Sequence, residues 1–273
     1  MWAELTPRPL FIGILNLTPD SFSDGGRFVD PASAVAHAHA LVQAGARLLD
    51  LGAESTRPGA SPLDPATEWQ RLEPVLSQLS ISLPNLPLSL DTRHPEVAER
   101  GLALGVRVLN DVTGFSDPAM LRLARASGCG LIAMRSRVRG EGFHMPPYDD
   151  PAPKGAEAAL EELRALKERL LGAGLAPERL LLDPGFGFGT TFQEDLALWA
   201  ALPGLSMALD WPRERFCLGI SRKRFVAARA GVPGLAPIER DGLTAAAHAE
   251  AIGLGYRIFR THALPGASGN LAG

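Results

Sequence analysis

Residues 13–26 read GILNLTPDSFSDGG, and the side chains gathered there can do chemistry: Asn16 offers an amide oxygen, Thr18 and Ser21 hydroxyls, Asp20 and Asp24 carboxylates. They follow directly on the apolar run LFIGIL. Six further apolar runs end in the same manner. ESTRPG follows the second, Asp91 and Thr92 end the third, Asn110 and Asp111 the fourth, and Asp183 the sixth. Ser221, Arg222 and Lys223 follow the seventh, and Arg260 and His262 close the eighth. One polar residue at a strand end is what a helix N-cap requires. Seven such clusters exceed that requirement.

What these side chains can recognise follows from their donors and acceptors. Ionised Asp91 and Asp183 only accept, Asn110 donates and accepts, and Lys223 only donates. The set suits a flat heterocycle with several N–H donors and a carbonyl. Arg260 and His262 are two residues apart on a strand, so both point to one side and form a cationic seat for an anion, a phosphate, unless RTH is a packed surface segment. The stretch DPGFGFG (183–189) has GxGxG spacing, without the acidic residue of a dinucleotide fold or the lysine of a phosphate-binding loop. Its glycines let backbone approach a flat ligand with Phe186 or Phe188 as an aromatic wall; otherwise it is a tight turn packing both rings. ESTRPGA (54–60) suits a lid closing over an anion, or a surface turn. His37, His39 and His248 lie in Ala-rich helical segments and read as packing residues, and the charges on those segments as solvated faces. Cys129 and Cys217 sit in apolar runs and read as buried thiols.

The elements that must position these groups alternate between short β-rich runs and longer segments of helical period. The runs span 10–16, 47–53, 86–92, 107–114, 130–136, 179–185, 215–221 and 256–262. Eight such units predict a (β/α)8 TIM barrel, in which all strand C-termini share one face. A doubly wound open sheet is the alternative. With 273 residues, 46% of them hydrophobic, a single domain spanning 1–273 is expected. After His262 the tail ALPGASGNLAG is too short and glycine-rich for the usual closing helix, so the final helix is expected to be incomplete or unusual. The Pro-rich stretch 139–153 is expected to be a partly disordered loop. Net charge is −3 without a basic block, which excludes a nucleic-acid footprint. No apolar run reaches the ~18 residues of a membrane span and no basic leader precedes the first, so a soluble cytoplasmic protein with small-molecule partners is expected.

Taken in order, ILNLTPDSFSDGG, DLGAESTRPGA, LDT, LNDV, LLDPGFGFG, GISRK and RTH resemble dihydropteroate synthase, the pterin-binding barrel of folate biosynthesis, across residues 13–262. The resemblance implies an enzyme joining 6-hydroxymethyl-7,8-dihydropterin diphosphate to p-aminobenzoate, with release of pyrophosphate and 7,8-dihydropteroate, a Mg2+ cofactor, a homodimer and a sulfonamide target. It implies that Asp91, Asn110 and Asp183 hold the pyrimidine edge of the pterin and Lys223 its carbonyl side. Asn16 would ligate the metal through the diphosphate. Thr56, Arg260 and His262 would contact the diphosphate, and Thr261 joins the substrate contacts. Asp24 and Arg57 would lie on segments closing over the site, and Phe22 and Phe188 would help form the p-aminobenzoate pocket. Asp24, Arg57, Lys223, Arg260 and His262 are the candidate catalytic residues.

The chain departs from the family pattern in places. Ala53 stands for a glycine, Arg135 for a histidine, Thr190 for a common lysine, Arg224 for a frequent serine, and Ala263 for Asp or Asn. Two other readings compete. A methyltetrahydrofolate:corrinoid methyltransferase resembles this barrel, but needs neither a diphosphate seat nor lids of the form SFSDGG and STRPG. A non-catalytic pterin-binding paralogue would not require Lys223, Asp24, Arg57 and His262 together.

Overall fold

The computed structural model describes residues 2, 6, 8–18, 30–55, 60–137 and 155–264. Eight parallel strands form the centre: β1 (Leu10–Asn16), β2 (Leu48–Gly52), β3 (Leu88–Asp91), β4 (Val108–Asp111), β5 (Gly130–Met134), β6 (Leu180–Asp183), β7 (Cys217–Leu218) and β8 (Ile258–Thr261). They hydrogen-bond in the order β6-β5-β4-β3-β2-β1-β8-β7. A parallel bridge from Leu182 to Phe216, the residue before β7, brings the ends of this sheet together into a nearly closed barrel. That order removes the open doubly wound sheet. Pairing also stops earlier than the apolar runs suggested, leaving Ser221, Lys223 and His262 on loops beyond the strands.

Helices alternate with the strands: α1 (Pro31–Gln43), α2 (Pro65–Ser82), α3 (Pro95–Ala103), α4 (Pro118–Ser127), α5 (Gly155–Gly172) and α6 (Phe192–Leu209). Two helices, α7 (Arg224–Arg229) and α8 (Asp241–Gly253), lie between β7 and β8. Helices α1, α2 and α4 each begin with Asp-Pro, and Asp30, Asp64 and Asp117 accept first-turn N–H groups. Proline at the first position loses no hydrogen bond, and the aspartate satisfies donors that the helix leaves orphaned. Helix α6 begins with a capping box between Thr191 and Glu194. Caps of this kind set where these four helices begin, and the one at Thr191 ends the glycine loop that carries Phe188.

The alternation of side chains sorts the strands into an inner and an outer face. Outward leucines such as Leu49, Leu51, Leu90, Leu109 and Leu182 join the core beneath the helices. Inside, Leu10, Ile12, Leu48, Val108, Ile132, Leu181, Cys217 and Ile258 form an apolar plug with Trp2. The Trp2 indole donates to the Arg179 carbonyl at 2.7 Å. One step further along four of these strands the inward residues turn polar: Asp50, Asn110, Asp183 and Arg260. Both cysteines are buried and free. His248 is buried between Phe11 and Phe259, and His39 meets the Ser82 hydroxyl at 3.2 Å.

The stretch 139–153 and the tail beyond Leu264 lie outside the described residues. Among the described residues no helix is long and apolar enough to cross a membrane.

Candidate active site

Above the apolar plug the barrel opens into a cavity of about 740 Å³. Asn16, Asp91, Asn110, Asp183, Phe188, Lys223, Arg260 and His262 all line it. They come from six strands or their following loops. Ile14, Val112 and Met134 supply apolar wall between them.

The floor is an ionic lattice absent from the sequence expectation. Asp50, fully buried in β2, accepts from Asn110 Nδ2 at 2.9 Å and from Arg260 Nε at 2.5 Å. The other arm of the Arg260 guanidinium donates to Asp91. Arg260 and His262 both line this cavity, as strand alternation predicts, and Arg260 is in addition bound from below by two carboxylates. The strand ends at Thr261, and the two carboxylates draw Arg260 down into the barrel. Burial opposes the Arg260 charge, yet Asp50 and Asp91 hold the guanidinium above its usual range. Burial pushes the Asp91 carboxyl up to about 7, against the pull of Arg260 and helped by repulsion from Asp50.

On the opposite wall Asp183 ends β6 and accepts from the Gly185 N–H at 2.8 Å. A Cβ at Gly219 would stand 2.9 Å from Asp183 Oδ2, so the small residue makes room for the carboxylate. Burial pushes Asp183 up to about 6. Lys223 Nζ lies 3.9 Å from the centroid of the Phe188 ring, a cation–π contact. Burial lowers its pKa to about 8, against the opposing charges of Asp195 and Asp183. Of the SRK run, Lys223 turns toward the cavity's carboxylates, while Arg222 is gripped by both oxygens of Asp241 at 2.7 and 2.8 Å.

The glycine stretch divides its two rings. Phe186 is fully buried and stacks on Phe225 at 4.9 Å, whereas Phe188 faces the cavity. Gly185 has φ +71°, and a Cβ there would strike the Arg135 carbonyl at 1.8 Å. Arg135, which carried no role in the sequence, braces this turn. Its guanidinium donates to the carbonyls of Pro184 at 2.7 Å and Gly185 at 3.1 Å, and to Glu162 at 2.8 Å.

At the mouth, the His262 N–H donates to Ser221 Oγ at 3.1 Å, and its Nδ1 lies equally close to that oxygen. Thr261, expected among the substrate contacts, does not line the cavity. It is fully buried, and its hydroxyl donates to the Ala263 carbonyl at 2.8 Å, because odd positions of β8 face the outer core. Asp111 likewise accepts from Thr113 and Phe115 N–H groups and shapes its turn. His37, read as packing, reaches the cavity wall from α1. Glu54 and Ser55 also line it. Glu54 is held by two bonds from Arg93, at 2.8 and 2.9 Å, and accepts from Leu63 N–H at 2.9 Å. It thereby spans the base of the second loop. Phe22, Asp24, Thr56 and Arg57 lie outside the described residues.

Among the described residues no group of three or more His, Cys, Asp or Glu could hold a metal ion. Asn16, at the end of β1 on the cavity wall, presents a single amide oxygen. Mg2+ keeps several waters and binds through one or two protein oxygens together with phosphate. The described part of the site therefore fits a cation carried with a diphosphate.

Sequence signals for the missed residues were partial. Asp50 interrupts an apolar run, a visible sign of an interior charge. Glu68, Glu194 and Asp195 are buried on helices whose charges read as solvated; only Glu194 carries a local signal, as the third residue after Thr191 in a capping box.

The family model described as pterin binding enzyme matches residues 12–262. A dihydropteroate synthase of Neisseria meningitidis serogroup C is 39% identical over 259 residues, spanning 93% of this chain and 88% of the relative. A dihydropteroate synthase of Xanthomonas albilineans solved with 4-aminobenzoic acid superposes with a TM-score of 0.81 at 36% identity, covering 96% of this chain and 90% of that one. The same organism's enzyme in complex with 7,8-dihydropteroate gives 0.79 at 33% identity, with 96% and 90% covered.

Proposed function

The chain belongs to the pterin-binding enzymes and, among them, to the dihydropteroate synthases, and on that premise we propose how its own residues join a dihydropterin diphosphate to p-aminobenzoate. One observation carries the reading. Asp91, Asn110, Asp183 and Lys223 come from β3, β4, β6 and the loop after β7, yet converge on one cavity with the acceptors and donors a pterin requires.

The pyrimidine edge of the pterin donates to Asp183 and Asp91 and pairs with Asn110, while the Lys223 ammonium donates to the carbonyl side. A pterin N–H arriving at Asp91 takes the place of Arg260 there. The guanidinium, still tethered to Asp50, then turns toward the strand end where His262 stands. Arg260 and His262 thus come together over the diphosphate.

The aromatic amine is neutral at pH 7, so the difficult part is the departure of the leaving group. The bond from the exocyclic methylene to the diphosphate oxygen breaks, and the electron pair leaves with pyrophosphate. Arg260 and His262 stabilise that developing charge. Bound Mg2+, held by Asn16 and phosphate oxygens, would neutralise diphosphate charge. The electron-rich dihydropterin delocalises the methylene cation, and Asp24 would stabilise it, a role that rests on the family resemblance. The amine nitrogen of p-aminobenzoate, seated by Phe22 and Phe188, forms the new C–N bond and gives up a proton to solvent or pyrophosphate. Closure of the loops bearing Asp24, Thr56 and Arg57 keeps water from trapping the cation. A single domain acting as a cytoplasmic homodimer belongs to the same proposal and rests on the family.

The test is direct. Purified protein with Mg2+, p-aminobenzoate and the pterin diphosphate is expected to release pyrophosphate and dihydropteroate in equal amounts. Pterin binding without either product would establish a non-catalytic binder instead.

A further inference from the structure

Behind the glycine loop, outside the cavity wall, Asp195 on α6 is fully buried. Its Oδ1 accepts from the Gly187 N–H at 3.0 Å and from the Thr190 hydroxyl at 2.6 Å. Its Oδ2 has no hydrogen-bond partner among the described residues. A buried carboxylate left in that state is costly unless an opposite charge lies near. The Lys223 side chain supplies one. It lies along Gly187, where a Cβ would stand 3.2 Å from Lys223 Cδ and 3.4 Å from Nζ. Gly187 is therefore gripped from both sides, by Asp195 through its N–H and by Lys223 through its bare Cα.

We propose that Asp195 is a positioning residue of this site: it fixes the backbone on which Lys223 lies and supplies the buried negative charge that keeps that side chain an ammonium facing the pterin. This rests on the reading of Lys223 as a pterin ligand. The charges acting on Lys223 are Asp195 from α6, Asp183 from β6 and Arg260 from β8. Asp183 is committed to the substrate and Arg260 repels, so Asp195 is the counter-charge that persists when the pterin is bound. Lys223 and Arg135 are the cations acting on Asp195 itself, whose own carboxyl is raised by burial.

The chain has only three lysines, Lys154, Lys167 and Lys223, so Lys223 can be titrated directly. NMR of the protein labelled with 13Cε-lysine, assigned with K223R, reads its midpoint without any turnover. D195N keeps the acceptor for Gly187 and Thr190 and removes only the charge. Its Lys223 midpoint is expected roughly one unit below that of the parent, the low end for one neighbouring charge. The alkaline limb of kcat/KM is expected to move down with it, with kcat/KM at pH 6 within a few-fold of the parent. T190V retains the charge and should leave the midpoint in place. T190K introduces the lysine common in the family, neutralises Asp195 without removing it, and must also lower the midpoint; it decides the matter should D195N not fold. An unmoved midpoint in D195N or T190K overturns the proposal. So does a loss of kcat/KM that is uniform across pH. Absence of product from the parent would instead overturn the functional reading and leave the titration standing.

Discussion

Leu181 and Asp183 sit two residues apart on β6 and point into the same barrel, yet they belong to opposite regimes. Leu181 lies in the lower half, among side chains that are apolar, fully buried and closed by Trp2. Asp183 lies in the upper half, where Asp50, Asp91, Arg260 and Lys223 crowd charges into a cavity. The lower half lowers the free energy of the fold by removing apolar surface from water. The upper half carries raised carboxyls and a lowered lysine, groups that the fold holds at some cost because a ligand completes them. One backbone thus serves stability at one end and recognition at the other, and the boundary is a single step of the side-chain alternation.

This contrast can be broken by substitution, beginning with the largest effects. Lys223→Ala and Asp183→Asn are expected to lower kcat/KM by about 10²-fold or more while leaving the melting temperature unchanged or higher, since a site built for hydrogen bonds loses much when one partner is gone. Leu181→Ala should do the reverse, costing about 2–5 kcal/mol in denaturant unfolding while kcat/KM at permissive temperature stays within a few-fold. A Leu181→Ala variant that lost activity without losing stability would erase the boundary.

The pH dependence sharpens the same point. Asp91 and Asp183 have folded pKa values raised to about 7 and about 6 from 3.8, so the folded state binds more protons than the unfolded chain in that window. Their contribution to stability must therefore fall as pH rises from about 4 to 7. The Asp183→Asn variant should gain melting temperature relative to the parent between pH 4 and 6, and the gain should level off above that. Pterin affinity, measured by calorimetry, should move the other way, rising from pH 5 to 7 as the carboxylates ionise. It should weaken above about 8 as Lys223 loses its proton. The smallest effects are expected on α1, where His37→Ala at the cavity should change KM by only a few-fold and His39→Ala, on the outer face, should change nothing.

Much of this was legible in the chain because a barrel places every strand C-terminus on one face. Asn16, Asp91, Asn110, Asp183, Lys223 and His262 were legible as strand-end polar residues, and the structure brings them to one cavity. Thr261 was placed among the contacts by the resemblance of the RTH motif as a whole, although the alternation that sets Arg260 and His262 on one side leaves Thr261 on the other. Arg135 was visible only as a departure from a pattern; its work, holding two carbonyls of the next loop, depends on how β5 packs against β6. His37 and His39 could not be separated by composition, since both lie in the same Ala-rich helix and differ only in what its two faces meet.

The sequence by itself determined the order of strands and helices, the caps that begin the helices, and the chemical character of the strand ends, because these depend on contacts within a few residues. Only the tertiary structure decided which charges pair. Arg260 lies 169 residues from Asp91 and 210 from Asp50, and ring closure makes them neighbours. In the same way it sets Asp195 behind the glycine loop against which the Lys223 side chain lies. A side chain's charge is local information, but its state of ionisation and its partner belong to the packed barrel, where distance through space and exclusion of water are fixed.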